Sequence, residues 1–254
     1  IWGSWPGLFL RFALIFPAGL LIRAFSFNER VKPTWDWGII QELIRIGWKV
    51  MISIYLYGLV MAADLTLIAL LMDQEQVGLY SIAVTLRSAI AVFPNAITRA
   101  IFPRMAERYG RTQDPSSLTK ATFLPVLYNG LILLIPTIVL YLSVDPLINN
   151  LLPAYGDAVP AVKWTVLAGF FIGLRSSVNL FRSLNRLTIE ILLYAGALIM
   201  MYGFGYFSIL RYESIESVGF VNLIVMILLT LGINLGSYLT LNRLKGAPLE
   251  PADH

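Results

Sequence analysis

The chain has 254 residues, of which 57% are hydrophobic and only 13% charged, with a mean hydropathy of +0.73 and a formal net charge of +4. This make-up is too apolar and too poor in charge for an ordinary soluble domain, and it places the chain in lipid. No cysteine is present and the one histidine is His254, which removes disulfide frameworks, thiolate metal sites, cysteine nucleophiles and histidine-based chemistry.

In chain order, the first apolar run covers residues 5–24. It begins almost at Ile1 with no basic segment before it, so it reads as a membrane span in a piece of a longer protein and not as a signal peptide. Residues 25–47 form a polar connection that includes "PTWDWGIIQELIRIGWK" (33–49). There Ile40, Leu43, Ile44 and Gly47 share one helical face, and Trp35, Trp37 and Trp48 would sit at headgroup depth. The segment reads as an interfacial helix, either a surface linker or a hinge for a rocking lobe. Further apolar runs follow at 48–72, 77–103, 121–143, 158–181, 187–210 and 217–242, each longer than the ~17–20 residues a spanning helix needs. The expected architecture is an all-α integral membrane protein of about seven transmembrane helices, with 48–245 as a six-helix unit and 246–254 as a tail. Pro94, Pro125 and Pro136 fall inside spans, where kinks are expected, and Gly130, Gly169, Gly173, Gly196, Gly203 and Gly205 suit close helix packing.

Basic residues set the orientation. When loops are assigned alternately to the two faces, one face collects the clusters at 23–49, 99–120, 182–186 and 243–245, and the other receives Arg211 alone. By the positive-inside rule the 104–120 loop and the C-terminus are cytoplasmic. The net charge is then a product of topology, and no basic soluble face remains for nucleic acid.

Polar residues within the spans are the candidate functional groups. Asp64 lies about ten residues before the turn "DQEQ" (73–76) and Arg87 about twelve after it, so the two differ by only ~3 Å in depth and can meet. An acid and a base within a membrane usually pair. Such a pair either fixes helix register or lies beside a substrate cavity. On the same helix Ser81, Thr85, Ser88, Asn95 and Arg99 form a stripe at helical period, consistent with a water-filled lumen or, for the hydroxyls, with packing. Arg175, Asn179, Arg182 and Arg186 form a second stripe near the cytoplasmic end of the 158–181 span. It can serve topology and lipid contact, or a cytoplasmic vestibule for a phosphate-bearing substrate. Tyr128 and Asn129 are weaker cavity candidates.

The stretch from "LIRIGWKVMISIYLYG" through Asp64, "VGLYSIA" (77–83) and "FPRMAERYG" (102–110), together with "AYGDAVPAVKWTVLAGFFIG" (154–173), resembles the C-terminal half of flippases for polysaccharides and lipid-linked oligosaccharides. These belong to the multidrug/oligosaccharidyl-lipid/polysaccharide exporter superfamily. The resemblance implies two six-helix lobes around a central cavity, with residues 1–24 as the last helix of an N-terminal lobe that is not part of this sequence. It also implies alternating-access transfer of an undecaprenyl-pyrophosphate-linked oligosaccharide across the bacterial cytoplasmic membrane. On that reading Asp64, Arg87, Asn95, Arg99, Tyr128 and Asn129 line the cavity, and Arg175, Asn179 and Arg182 its cytoplasmic vestibule. The partners would be the lipid-linked glycan, membrane lipid and a coupling ion, H⁺ or Na⁺, for which Asp64 is the candidate site. No covalent chemistry, cofactor or metal is called for, and so no enzyme activity. The alternatives are a multidrug/cation antiporter of the same superfamily, which would want more buried acids, and a non-transporting scaffold of a polysaccharide assembly complex. A membrane glycosyltransferase would need an outward acidic site, for which Asp145 and Asp157 have no partnered base in sequence.

Overall fold

The computed structural model describes residues 13–15, 17–19, 36–112 and 114–245. The predicted span at 5–24, the connection before residue 36 and the tail at 246–254 fall wholly or mostly outside them. Every regular element among the described residues is helical. From residue 37 on they are α1 (Trp37–Leu71), α2 (Gln74–Thr112), α3 (Thr119–Leu151), α4 (Val159–Gly173), α5 (Asn179–Ser183), α6 (Leu187–Tyr212) and α7 (Ile215–Lys245). Short 3₁₀ turns occupy Pro115–Leu118, Pro153–Ala158 and Ser176–Val178. With α4 and α5 counted as one interrupted segment, six helical stretches are long and apolar enough to cross a membrane. They coincide with the six later spans expected from sequence, and the chain is a multi-pass membrane protein.

The chain divides into two compact units between Ile44 and Arg45. In the first, α1 begins at Trp37 under an Asp36 cap, whose Oδ1 accepts from the Gly38 N–H at 2.8 Å. Trp37, Leu43 and Ile44 are exposed there, as a helix at the membrane surface would present them. The helix extends to Leu71.

The second unit, residues 45–254, holds the core. Helix α4 is its centre and packs against α2, α3 and α7, while α6 packs against α7. Small residues permit the close approaches. A methyl at Gly169 would lie 3.2 Å from the Arg87 carbonyl on α2, and one at Gly219 would lie 3.0 Å from the Ala161 carbonyl on α4. Gly130, Gly173 and Gly205 also face close neighbours, whereas Gly196 and Gly203 open onto space and do not serve packing. Helix α6 ends at Glu213, which adopts a left-handed conformation (φ 47°), and the Ser214 hydroxyl caps α7 by accepting from the Glu216 N–H at 3.1 Å.

The fourth of the six described spans, Pro153–Ser183, departs from expectation. Sequence gives one uninterrupted helix over 158–181, but α4 stops at Gly173 and α5 starts at Asn179, with Leu174, Arg175 and a 3₁₀ turn between. Backbone carbonyls freed inside a membrane must be paired by protein, and here the neighbouring helices do so. Asn129 of α3 donates to Gly173 O (3.1 Å), and Thr230, Asn234 and Ser237 of α7 donate to Phe171 O (2.9 Å), Leu174 O (3.2 Å) and Ser177 O (3.2 Å).

Candidate functional site

Asp64 of α1 and Arg87 of α2 meet. Their side chains form a buried ion pair through Arg87 Nη1 and Asp64 Oδ2, and Nη2 also donates to the Met61 carbonyl at 2.9 Å. Asp64 is saturated, since it also accepts from the Tyr80 hydroxyl (2.9 Å), Asn222 Nδ2 on α7 (3.2 Å) and the Leu65 N–H (2.9 Å). Asp64 is 0% exposed and Arg87 2%. The pair is enclosed within the helix packing. Its geometry is that of a structural tie joining α1, α2 and α7.

The Ser81, Thr85 and Ser88 row lies on a different, exposed face of α2. Each hydroxyl bonds back to a carbonyl three or four residues earlier, at 2.6–2.8 Å. Toward the basic end of the unit this row continues through half-buried Asn95 to exposed Arg99. There the two polar stripes read from sequence converge. A cleft of about 380 Å³ opens between α1 (Val50, Ile54), α2 (Thr98, Arg99, Phe102), α5 (Asn179, Arg182) and the start of α6 (Asn185, Leu187). It is lined by two arginines and no acid.

Arg182, Asn179 and Arg175 are each positioned by specific contacts. Arg182 is gripped by Glu190 of α6, with Nε 3.1–3.2 Å from both carboxylate oxygens and Nη2 at 2.5 Å from Oε1. Asn179 donates to the Thr98 carbonyl at 2.7 Å, and its Oδ1 is buried without a partner. Arg175, at the break in the fourth span, donates to the Tyr194 hydroxyl (2.9 Å) and to Asn95 Oδ1 (3.3 Å). Its guanidinium also lies 3.6 Å from the centre of the Tyr57 ring, close enough for cation–π attraction, and Tyr57 in turn packs on Tyr194 at 5.5 Å between ring centres. Arg175 is 8% exposed, its Nε has no partner, and no carboxylate lies within ion-pair distance among the described residues.

Sequence thus marked Asn95, Arg99, Arg175, Asn179 and Arg182, which the fold gathers at one end. It missed Glu190, Tyr57 and Tyr194. The one available signal for Glu190 was an acid at the start of an apolar span eight residues after Arg182; aromatic side chains at helical spacing carry no signal that separates them from core. Tyr128 and Asn129 do not join this group. Tyr128 is 53% exposed on α3, which contributes nothing to the cleft, and Asn129 points inward to cap Gly173. At the opposite end Asp145 is paired with Lys163 at 2.6 Å, so this acid is not free either. Among the described residues no three acidic or histidine side chains gather as metal ligands would.

A family model described as polysaccharide biosynthesis protein matches residues 15–157, more than half of the chain. Neither the curated proteins nor the solved structures gave a significant match.

Proposed function

The chain belongs to the polysaccharide biosynthesis protein family, and from that premise we propose that it moves a lipid-linked oligosaccharide across the cytoplasmic membrane, with the cationic cleft receiving the phosphate-bearing end. The carrier would be undecaprenyl pyrophosphate, the mode alternating access with a second lobe, and the basic end, including the C-terminus, cytoplasmic. A charged pyrophosphate and a hydroxyl-rich glycan cannot cross ~30 Å of hydrocarbon unaided, so a protein must offer substitute partners for water.

The observation that carries the reading is a cleft wall with two arginines and no carboxylate. Glu190 fixes the Nε and Nη2 side of Arg182 and leaves Nη1 without a partner among the described residues, while exposed Arg99 lines the same cleft from α2. Two guanidinium groups across one cleft suit the several oxygens of a pyrophosphate. The unpartnered Oδ1 of Asn179 is an acceptor for a sugar hydroxyl. Nothing in this arrangement needs a cofactor or a covalent step. Saturation of Asp64 by an internal arginine argues against the cation-antiport alternative, which would need that carboxylate open to a drug cation, and against H⁺ or Na⁺ coupling at Asp64.

The test is flux of lipid-linked oligosaccharide to the far leaflet in vesicles holding the full-length protein, normalised to inserted protein. Arg99→Ala should lower flux roughly tenfold or more, since loss of a charge-assisted contact is worth ~1.5–3 kcal/mol. Insertion should be unchanged, because Arg99 is exposed. Arg99→Lys should recover only part of the flux. Full flux in Arg99→Ala would remove the cleft from the pathway, and no flux by the unaltered protein would favour the scaffold alternative.

A further inference from the structure

At the end of the unit opposite the cationic cleft, a groove of about 810 Å³ runs between α4, α6 and α7, and its wall changes character with depth. Arg211, in the last turn of α6, and Glu216, in the first turn of α7, stand at its mouth. Phe207 and Phe204 lie four and seven residues before Arg211, on the same helical stripe, and Phe220 lies one turn beyond Glu216 on the α7 stripe. At 1.5 Å per residue the phenylalanines therefore sit ~6–10 Å deeper than the charges. Phe204 and Phe207 are 59% and 70% exposed, which gives the groove a bare apolar floor on the lipid-facing side.

The mouth is built and not incidental. The indole N–H of Trp164 on α4 donates to Glu216 Oε1 at 3.3 Å, and the Trp164 ring meets Phe220 edge-on at 5.2 Å between ring centres. The Glu216 carboxylate is thereby held over the groove. Arg211 is exposed and forms no ion pair among the described residues.

We infer that this groove binds one phosphatidylethanolamine molecule, its phosphate on Arg211, its primary ammonium on Glu216, and the upper part of an acyl chain along Phe207, Phe204 and Phe220. Charge complementarity selects the occupant. One cation and one anion lining the mouth of the same groove match a zwitterion with its phosphate and ammonium a few ångströms apart. An anionic phosphatidylglycerol would bring its phosphate to Arg211 but leave Glu216 without a counter-charge, and a quaternary choline has no N–H to donate to the carboxylate. This site is independent of the glycan pathway and stands or falls separately from it.

The experiment is native mass spectrometry of the delipidated protein, titrated with dioleoyl-phosphatidylethanolamine or dioleoyl-phosphatidylglycerol. One phosphatidylethanolamine should be retained with roughly tenfold preference over phosphatidylglycerol, the size of one charge-assisted contact. Glu216→Gln keeps an acceptor for Trp164 but removes the charge, so it should abolish the preference while leaving weak retention of both lipids. Arg211→Ala should weaken retention of both about tenfold. Both residues are exposed at the surface of the fold, and an unchanged unfolding profile for each variant checks that the wall is intact. Equal retention of the two lipids by the unaltered protein, or a preference that survives Glu216→Gln, would reduce the groove to ordinary annular lipid contact and overturn the assignment.

Discussion

Replacing Asp64 by Asn removes one of two opposite charges that share an enclosed site, at 0% and 2% exposure. The Arg87 guanidinium then keeps only the Met61 carbonyl at 2.9 Å and a neutral amide as partners. Loss of one member of a buried ion pair costs about 3–5 kcal/mol, because the remaining charge is left in low dielectric. Arg87→Met is milder, near 3 kcal/mol, since Tyr80, Asn222 and the Leu65 N–H still donate to the carboxylate. In the double variant no charge remains. The amide oxygen at position 64 still serves Tyr80 and Asn222, so the cost falls to about 2 kcal/mol, the scale of imperfectly replaced hydrogen bonds. The coupling between the two sites is therefore at least ~4 kcal/mol, the excess of the two single losses over the double one. Equilibrium unfolding in mixed micelles, read on all four proteins of the cycle, measures it. Losses that add to within ~0.5 kcal/mol would refute the claim that the two side chains act as one unit.

Two further outcomes follow from the same geometry. Asn234→Leu strips the Leu174 carbonyl and the Ser177 hydroxyl of their partner, so it should destabilise the protein by roughly 2–4 kcal/mol and speed amide exchange selectively across residues 174–178, as read by hydrogen–deuterium exchange; uniform exchange change along the fourth span would mean that the break is not what Asn234 supports. Single cysteines placed after Gly110 and within 73–76 of this cysteine-free chain should label from opposite sides, the first only after permeabilisation, and external labelling near Arg111 would invert the orientation.

The spans were legible because a membrane helix is specified by a local quantity, the length of an apolar run, and the Asp64–Arg87 contact because a four-residue turn makes depth a matter of counting. The break at 174–178 was not. Its residues sit in an apolar run, and what stabilises the irregular backbone is Asn129 and Asn234, 44 and 60 residues from the carbonyls they cap. No window of sequence contains both sides of that bargain. The same distance hid the centre of the cationic cluster. Arg175 and Asn179 were singled out from a stripe on their own segment, but Asn95, which the α2 stripe had marked, proved to be a direct partner of Arg175 across 80 residues. Tyr128 and Asn129 part company in the fold. Adjacent helical residues point ~100° apart, so only one of the two could face any given cavity, and the fold turned the amide inward and left the phenol outside.

The interruption of the fourth span also has an electrical consequence. A continuous membrane helix keeps the two ends of its dipole at the two water interfaces; here α4 ends at Gly173, inside the packed unit, and brings a C-terminal partial charge of roughly −0.5 with it. Arg175 is rooted two residues beyond that end, and the guanidinium is met by a hydroxyl, an amide oxygen and an aromatic face. All of these offer fractional charge. A carboxylate in the same place would have cancelled the cation and ended its field within a few ångströms. Fractional partners hold the cation in the fold without neutralising it, and with Glu190 committed to Arg182, a net positive potential is left to reach the cleft below.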